Sequence, residues 1–316
     1  MRALLVGGDG YVGRYLQRAS TVITESVSAD LHPSTPDVVF CDVRRDLAAT
    51  LGAVEPPDWI FLLAAVHREP GHELREYYDT NVTGAQNVAR YAEEIGCKNI
   101  FFVSSTSPYG STNDPKDERS ALYPESAYGM SKLAAELVLD NWFQKGGDRR
   151  LVICRPGVIY GPGEQGNITR MIRAVRRGYF VFPGDRMVRK SYAYIEGLVE
   201  SIDFSLSQSD PRVLYNYVER HTETLEELVH DVQDEFDCHR TALSVPRNVL
   251  VGAAFVAQVA TYGRSPLHPT RVRKASIPTH VVPRWLIEHG FEFRYAFRSS
   301  LRHWRTVAPG DFDLDA

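Results

Sequence analysis

A short apolar run, Ala3–Val6, leads directly into Gly7-Gly8-Asp9-Gly10-Tyr11-Val12-Gly13, which opens a helix. A strand, a glycine-rich turn and a helix in this order form the context of a dinucleotide-binding fingerprint. The glycines allow a tight turn and a close backbone approach, and the helix N-terminus offers unpaired N–H groups to a pyrophosphate. The spacing fits both Gly-x-Gly-x-x-Gly and Gly-x-x-Gly-x-x-Gly, so it predicts a dinucleotide site without choosing a subfamily.

The first half of the chain continues this alternation of short apolar runs and helical patterns. The strand candidates are Ala3–Val6, Ser26–Ala29, Val38–Cys41, Trp59–Ala64, Ile100–Ser104 and Leu151–Arg155. The clearest helices are Val82–Ile95 and Ala127–Phe143. Buried runs separated by helices predict an α/β fold with a doubly wound parallel sheet of Rossmann type.

After Arg155 the pattern becomes irregular, with a strand at Val213–Tyr217 and a helix at Thr224–Phe236. We therefore predict a dinucleotide-binding domain over residues 1–165 and a smaller C-terminal α/β substrate lobe over residues 166–316. A segment near residues 191–220 is expected to return to the Rossmann core.

Composition excludes several classes of protein. The 316 residues are 43% apolar and 24% charged, with a net charge of -4, which disfavours a disordered chain and a nucleic-acid partner. The four cysteines are far apart, so we expect no metal site and no disulfide framework, as in a reducing cytosol. No signal peptide is visible, and the longest apolar helix candidate, Val249–Tyr262, is too short to span a bilayer. The prediction is a cytoplasmic protein without a membrane partner.

Tyr128 and Lys132 lie four residues apart in the predicted helix Ala127–Phe143, so their side chains share one face. A cation beside a tyrosine favours the phenolate, which would let the pair act as a general base near neutral pH. A surface pair at this spacing would look the same. The hydroxyls of Ser104, Ser105 and Thr106, just upstream, compete for a supporting role.

Acidic and small residues follow the other strands. Asp30 ends the second strand, where an acid accepts hydrogen bonds from adenosine ribose hydroxyls and repels a 2′-phosphate, favouring NAD over NADP. A solvated acid at a strand end is the alternative. Asp42 is similarly placed for an adenine contact. Ala64 and Ala65 either let the backbone approach the cofactor or only pack.

With these motifs in place, the sequence resembles the extended short-chain dehydrogenase/reductase family of nucleotide-sugar epimerases and dehydratases over nearly its whole length. The resemblance rests on Gly7, Gly10, Gly13, Asp42-Val43, Ala64-Ala65, Asn81, Ser105, Tyr109-Gly110, Tyr128, Lys132, Arg155-Pro156 and Tyr160-Gly161-Pro162-Gly163. It implies NAD as the cofactor, with contacts from Gly7, Gly10, Tyr11, Val12, Gly13, Asp30, Asp42, Val43, Ala64, Ala65, Tyr128, Lys132 and Pro156.

The resemblance also implies the chemistry. Lys132 would bind the nicotinamide ribose and, with the positive nicotinamide ring, lower the pKa of Tyr128. Tyr128 would take the proton from a sugar hydroxyl while hydride passes to NAD, and Ser105 would bond the same oxygen. Thr106 and Ser107 stand where 4,6-dehydratases have Asp-Glu, so eliminating water lacks its carboxylates. Decarboxylating relatives have Glu at the position of Ser107. Redox chemistry at a sugar carbon remains.

In the second lobe the resemblance points to a site for the sugar nucleotide. Lys190 takes the place of a phosphate-binding arginine, and Arg189 could share that role. Arg271 looks like the second pyrophosphate arginine of the family, although Arg273 could substitute. The remaining substrate-site candidates are Asn167 and His67. Each of these residues alone is equally consistent with an ordinary structural or surface role.

The leading interpretation is an NAD-dependent nucleotide-sugar 4-epimerase that works through a 4-keto intermediate, with a UDP-sugar as the first choice of substrate and a place in polysaccharide biosynthesis. The alternative is an NAD(P)-dependent nucleotide 4-keto-sugar reductase or dehydrogenase. A third interpretation is a nucleotide-sensing protein that binds without turnover. The apolar faces of Val82–Ile95 and Ala127–Phe143 suggest a homodimer, because relatives pair these helices in a four-helix interface.

Overall fold

The computed structural model describes residues 1–51, 55–164, 166–262, 264–265 and 268–313. Its strands are β1 (Arg2–Val6), β2 (Glu25–Asp30), β3 (Val39–Phe40), β4 (Trp59–Leu62), β5 (Asn99–Val103), β6 (Thr112–Lys116), β7 (Arg150–Pro156), β8 (Val158–Tyr160), β9 (Val181–Pro183), β10 (Tyr192–Tyr194), β11 (Arg212–Tyr217), β12 (Leu243–Val245) and β13 (Thr279–Val281). Its α-helices are α1 (Tyr11–Ala19), α2 (Leu47–Leu51), α3 (Leu74–Tyr77), α4 (Thr83–Glu94), α5 (Ala127–Gln144), α6 (Asn167–Arg177), α7 (Ile195–Ser207), α8 (Leu225–Phe236), α9 (Arg247–Ala260), α10 (Pro269–Ala275), α11 (Arg284–Glu288) and α12 (Phe297–Val307).

The central sheet has seven strands in the order β11-β7-β5-β4-β1-β2-β3, and all its pairs are parallel. The chain winds outward from β1 to β3 and then resumes at β4 on the other side of β1. The direction of winding therefore reverses between β1 and β4, where ligands bind in sheets of this kind. The predicted doubly wound parallel sheet is confirmed.

Two apolar layers cover the sheet because successive residues of each strand point to opposite faces. Leu4 and Val6 of β1 pack with α4 and α5 on one side. Ala3 and Leu5 pack with α1 and α7 on the other side. The strands β1, β4, β5 and β7 are thus buried on both faces, which explains their continuous apolar runs.

The predicted strand Trp59–Ala64 ends two residues early, at Leu62. The N–H groups of Leu63 and Ala64 both donate to the carbonyl of Val6, the last residue of β1, at 2.8 and 2.9 Å, so the regular ladder between β4 and β1 ends there. The end of β4 is thereby fixed against the start of the glycine turn.

A π-helical turn, Tyr78–Val82, joins α3 to α4. The sequence predicted one helix over Val82–Ile95, so the helical chain in fact begins earlier, at Leu74, and contains a wider turn. This turn buries Asn81, which contributes to the site described below.

The second lobe has its own apolar core, in which Tyr160 and Trp304 pack with α6, α8 and α12. Three two-stranded parallel pairs, β8–β10, β9–β12 and β6–β13, border it. After β10 the chain returns to the main sheet, since α7 covers one face and β11 forms an edge. The domain boundary at residue 165 stays a proposal, and residue 165 itself lies outside the described residues.

Candidate active site

The side chains of Tyr128 and Lys132 project from the first turns of α5 towards the carboxyl end of β5. Lys132 is 1% exposed. Its ammonium donates to the carbonyl of Val103 at 2.6 Å and lies 4.2 Å from the centre of the Phe102 ring. The cation is therefore held by the end of the strand as well as by its own helix.

Ser105 is the serine that the structure brings near Tyr128, since its hydroxyl acts to lower the pKa of that phenol. The Oγ of Ser105 also accepts from the N–H of Ser107 and lies 3.1 Å from the Oγ of Ser107. Ser104 is buried and donates instead to the carboxylate of Glu136 on α5. Of Ser104 and Ser105, it is therefore Ser105 whose hydroxyl acts on the phenol.

Burial dominates the protonation of the tyrosine–lysine pair. It raises the pKa of Tyr128 to about 12, against the opposing hydrogen bond from Ser105, and the charge of Glu69 raises this pKa further. Burial lowers the pKa of Lys132 to about 7, and the charge of Glu136 counteracts that shift. Without the cofactor, desolvation of the phenol therefore outweighs the other contributions to the pKa of Tyr128. That Lys132 and the positive ring of NAD together lower this pKa stays a prediction.

A buried ion pair lies behind the lysine. The guanidinium of Arg155 donates to both carboxylate oxygens of Glu136, at 2.9 and 2.5 Å. Arg155 also donates to the hydroxyl of Tyr109 at 3.0 Å, and that hydroxyl donates to Asn216 at 2.9 Å. This network joins α5 to β7 and β11 directly below the catalytic candidates.

The glycine turn is packed too closely to admit side chains at Gly7, Gly8 and Gly13. A Cβ on Gly7, whose φ is 87°, would lie 2.4 Å from the backbone nitrogen of Ala64. A Cβ on Gly13 would lie 2.4 Å from the carbonyl oxygen of Gly8. The N-cap of α1, Gly10, provides no side-chain hydrogen bond to the first turn. The N–H groups that begin this helix, those of Tyr11, Val12 and Gly13, are thus positioned to receive an anion.

The two acids of the predicted cofactor site differ in their surroundings. The carboxylate of Asp30 faces the glycine turn and accepts from the N–H groups of Asp9 and His32, at 3.2 and 3.1 Å. Asp42 is buried, and both its oxygens are bound by the side chain of Arg44 at 2.8 Å. This hydrogen bonding holds the pKa of Asp42 below its usual value.

Three further candidates for cofactor contact line the same edge. Val43 is buried against α4. The carbonyl of Pro156 accepts from the N–H of Thr106 at 3.0 Å, which ties the end of β7 to the serine cluster. Tyr11 donates to the carbonyl of Pro162 at 3.2 Å and so links α1 to the segment that follows β8.

The loop after β4 is clamped to α5 by Asn81. The Asn81 amide pairs with both backbone groups of Val66, at 2.9 and 3.0 Å, and donates to Ser131 at 2.9 Å. Ala65 and His67 flank Val66 in this loop. His67 is exposed, and partial desolvation of its imidazole by neighbouring groups lowers its pKa.

Cationic side chains from α6, α10 and the segment before β10 lie together in the second lobe. Asn167 accepts from Arg170 at 2.8 Å. Desolvation and the nearby charge of Arg271 lower the pKa of Arg170, which places these two arginines close together. Lys190 donates to the carbonyl of Lys274, and burial lowers the pKa of Lys190 to about 8. The structure thus brings Asn167, Lys190 and Arg271 around α10.

Arg189 takes a different direction, since its side chain donates to the carbonyl of Thr222. The sequence reasoning also missed an ion pair over the site, between Glu69 of the loop after β4 and Lys274 of α10. No local pattern could have shown this contact, whose partners are 205 residues apart. Arg170 and Glu136 were detectable, because each follows a predicted residue at helical spacing.

The sequence profile of the NAD dependent epimerase/dehydratase family matches residues 3–216. The chain belongs to this family. A relative from Escherichia coli O157:H7, N-acetyl-alpha-D-glucosaminyl-diphospho-ditrans,octacis-undecaprenol 4-epimerase, is 30% identical over 305 residues, which span 94% of this chain and 92% of the relative.

Two solved structures show the same fold. UDP-N-acetylglucosamine 4-epimerase from Bacillus cereus has a TM-score of 0.75 at 19% identity, over 98% of this chain and 97% of that chain. MoeE5 in complex with UDP-glucuronic acid and NAD has a TM-score of 0.74 at 20% identity, over 97% of this chain and 99% of that chain. The protein is therefore an enzyme of the NAD-dependent epimerase/dehydratase family, as the sequence predicted.

NAD, the cofactor of this family, fits the residues present. At the start of α1 the N-cap, Gly10, makes no side-chain hydrogen bond, so the first N–H groups of the helix are available to a pyrophosphate. Asp30 offers a carboxylate beside that turn for ribose hydroxyls. Both carboxylate oxygens of Asp42 already accept hydrogen bonds from Arg44, so any contact with the adenine would have to be made in addition to these bonds. The individual cofactor contacts stay proposals.

Proposed function

We propose that this enzyme is an NAD-dependent 4-epimerase of a sugar carried on a diphosphate. The observation that carries the proposal is the grouping of Ser105, Tyr128 and Lys132 at the sheet edge, with hydroxyls at Thr106 and Ser107 in place of carboxylates. A site with these hydroxyl and amino groups but without the two carboxylates fits redox chemistry at the sugar better than it fits dehydration. The names of the E. coli relative and of the B. cereus structure both place such a reaction at C4.

The chain's own residues would handle the proton. Tyr128 would take it from the C4 hydroxyl, while Ser105 donates a hydrogen bond to the same oxygen as charge develops there. Lys132, anchored on Val103, would bind the nicotinamide ribose and keep a positive charge near the phenol. NAD, when bound, would accept the hydride from C4, return it to the other face, and lower the pKa of Tyr128 through its positive ring.

The cationic cluster of the second lobe is suited to the diphosphate. Arg170 bonds the amide of Asn167 and lies near Arg271, and Lys190 reaches the same helix, α10, through Lys274. Cations at such a site bind phosphate oxygens through charge-assisted hydrogen bonds. Nucleotide sugars and polyprenyl-diphosphate sugars both present this group. A nucleotide sugar, with uridine as the first choice, follows from the resemblance; the E. coli relative is named for an undecaprenol carrier.

Two further proposals concern assembly and location. Met130 and Leu137 on α5 are exposed apolar side chains, which supports a homodimer formed by α4 and α5. Sedimentation velocity would test it, since a monomer at assay concentrations contradicts the proposal.

Location in the cytoplasm stays a prediction from the sequence. No helix among the described residues is long and apolar enough to cross a membrane.

The test is turnover without added reductant. Purified enzyme is incubated with UDP-N-acetylglucosamine and, separately, with undecaprenyl-diphosphate-linked N-acetylglucosamine, and the sugar released by mild acid is identified by chromatography. Appearance of the C4 epimer with either carrier supports the proposal, and the preferred carrier identifies the substrate. No epimer with either, together with reduction of a 4-keto sugar when NADH or NADPH is supplied, would establish the reductase alternative instead.

A further inference from the structure

Helix α9 exposes an apolar surface that nothing in the described chain covers. Its side chains Val249, Phe255, Val256 and Val259 are between 59 and 66% exposed. Soluble proteins show isolated exposed apolar residues, but a contiguous group of large ones marks an interaction site. We call these four side chains the α9 surface.

The α9 surface follows from the sequence of the helix. Val249, Val256 and Val259 recur at helical spacing, and the other residues of that outward side include Gly252 and alanines. Only Ala254 of this helix is buried. The helix is thus apolar on the side that faces away from the protein, where a globular protein would normally place charged residues.

The helix is too short to cross a membrane but long enough to lie on one. Its 14 residues span about 21 Å, whereas a bilayer core is about 30 Å thick. An interfacial helix lies in the membrane plane, with apolar side chains inserted at the headgroup boundary. Tyr262, just beyond the helix, is 95% exposed, and tyrosine is enriched at this boundary.

The charge of the surrounding sequence is suited to an anionic surface. Between Asp237 and Glu288 the chain has no acidic residue, although it has 40 in all. The basic residues of this segment are Arg240, Arg247, Arg264, Arg271, Arg273, Lys274 and Arg284. Within the described part of the chain, no ion pair involves Arg247 or Arg273. Basic side chains near a membrane are attracted to anionic lipids.

This charge also argues against a second copy of the chain as the occupant. In a two-fold interface the same surface meets itself, so the acid-free segment of one copy would face the acid-free segment of the other. Like charges would then oppose each other without acidic partners from either segment. A bilayer containing anionic phospholipid offers the opposite charge together with an apolar interior.

The α9 surface is also connected to the substrate site. Helix α10, which carries Arg271 and Lys274, packs against α9. Lys274 pairs with Glu69, whose charge acts on Tyr128. A bilayer that contacts α9 would therefore lie one helix away from the diphosphate-binding candidates.

We propose that the α9 surface docks on a bilayer that contains anionic phospholipid. The docked enzyme presents its sugar-diphosphate site to the membrane, where a sugar carried on a polyprenyl diphosphate is held by its lipid. The bilayer contact itself does not depend on the proposed epimerase activity. Only the statement that the docked enzyme receives a lipid-linked sugar rests on that proposed function.

Vesicle flotation tests the proposal directly. The full chain is titrated with vesicles of phosphatidylcholine and phosphatidylglycerol, or of phosphatidylcholine alone, and the floating fraction gives the partition coefficient. Phe255→Ser removes an exposed aromatic ring from the surface. Tyr179→Ser is the matched control, because Tyr179 and Phe255 are 61 and 62% exposed and Tyr179 lies outside the acid-free segment.

The wild type should float with the mixed vesicles, less with phosphatidylcholine alone, and less as salt is raised. Phe255→Ser should weaken partitioning by about tenfold, the usual order for withdrawing an aromatic side chain from an apolar environment. Tyr179→Ser should bind like the wild type. Both substitutions are on the surface, so both variants should keep the thermal midpoint of the wild type.

Three results would overturn the proposal: a wild type that does not float with the mixed vesicles, equal binding by the two variants, or a dimer that Phe255→Ser converts to monomer without any flotation. Epimerisation of UDP-N-acetylglucosamine in buffer and of undecaprenyl-diphosphate-linked N-acetylglucosamine in detergent, both without vesicles and measured in parallel, tests the proposed function independently. Flotation without epimerisation of either substrate contradicts the proposed function, and epimerisation without flotation contradicts only the bilayer contact.

Discussion

Replacing Glu136 with Gln should destabilise the enzyme and change its dependence on pH. Glu136 and Arg155 are each 4% exposed and form the ion pair below Lys132. A glutamine keeps the shape of the side chain and one acceptor oxygen, but it turns an N–H₂ group towards the guanidinium. Arg155 would then be a buried charge without its carboxylate.

The magnitude follows from burial. Removing one partner of a buried ion pair costs about 3–5 kcal/mol because the other charge stays desolvated. With an unfolding entropy of about 2.1 cal/mol/K per residue, the 316 residues give about 0.7 kcal/mol/K, so the thermal midpoint should fall by about 5–8 °C. Differential scanning calorimetry measures this shift.

The matched control lies one turn further along α5. Asp140 pairs with Arg212 at 2.6 Å, but these two side chains are 30 and 25% exposed. Exposed pairs contribute less than about 1 kcal/mol, so Asp140→Asn should lower the midpoint by only about 1–2 °C. Equal shifts for the two variants would refute the argument that burial sets the cost.

The same substitution has a second readout. The charge of Glu136 raises the pKa of Lys132, which burial otherwise lowers to about 7. Without that carboxylate the ammonium should lose its proton at a lower pH. The pH above which kcat declines should therefore shift downward in Glu136→Gln and stay unchanged in Asp140→Asn. An unshifted profile would mean that Glu136 has only a structural role.

Three further outcomes are expected. Tyr128→Phe should lower kcat by about 10²–10⁴-fold while the purified protein keeps its bound cofactor, measured by turnover and by cofactor extraction. Arg271→Ala should raise KM by roughly 10–100-fold with a smaller effect on kcat, because a charge-assisted bond to the diphosphate contributes about 1.5–3 kcal/mol. Burial raises the pKa of Glu219 from 4.5 to about 8, so this carboxyl stabilises the fold below 4.5 and loses that contribution as the pH rises through 8. The thermal midpoint of Glu219→Gln should therefore rise relative to that of the wild type as the pH is raised through this range. A difference between the two midpoints that does not change with pH would contradict this expectation.

The parts of the site that the sequence predicted are those encoded by neighbouring residues. The glycine turn needs only a strand before it and a helix after it, and Tyr128 and Lys132 need only a helix between them. Lys132 could also be placed near the serine cluster, because that cluster follows a strand whose carboxyl end faces α5. Local periodicity therefore sufficed for the parallel sheet, whereas the choice of Ser105 and the roles of the catalytic candidates came from the family resemblance.

The remainder depends on contacts between distant segments. The ion pair of Glu69 and Lys274 joins residues from the two lobes. The engagement of Asp42 by Arg44 does not follow from the sequence, because the same arginine could equally have pointed into solvent. The raised pKa of Tyr128 depends on how completely the folded chain excludes water from the phenol, which no motif specifies.

The arrangement of α5 explains why a buried ion pair persists below the active site. Tyr128, Lys132, Glu136 and Asp140 recur every four residues and form one stripe along the helix. An apolar pair in place of Glu136 and Arg155 would pack as well, and such replacements are often neutral or stabilising. It would, however, leave Lys132 buried beside apolar neighbours, where desolvation favours the neutral amine. The pair thus contributes less to stability than to keeping a cation next to the phenol, which is what the proposed proton transfer at the sugar would require.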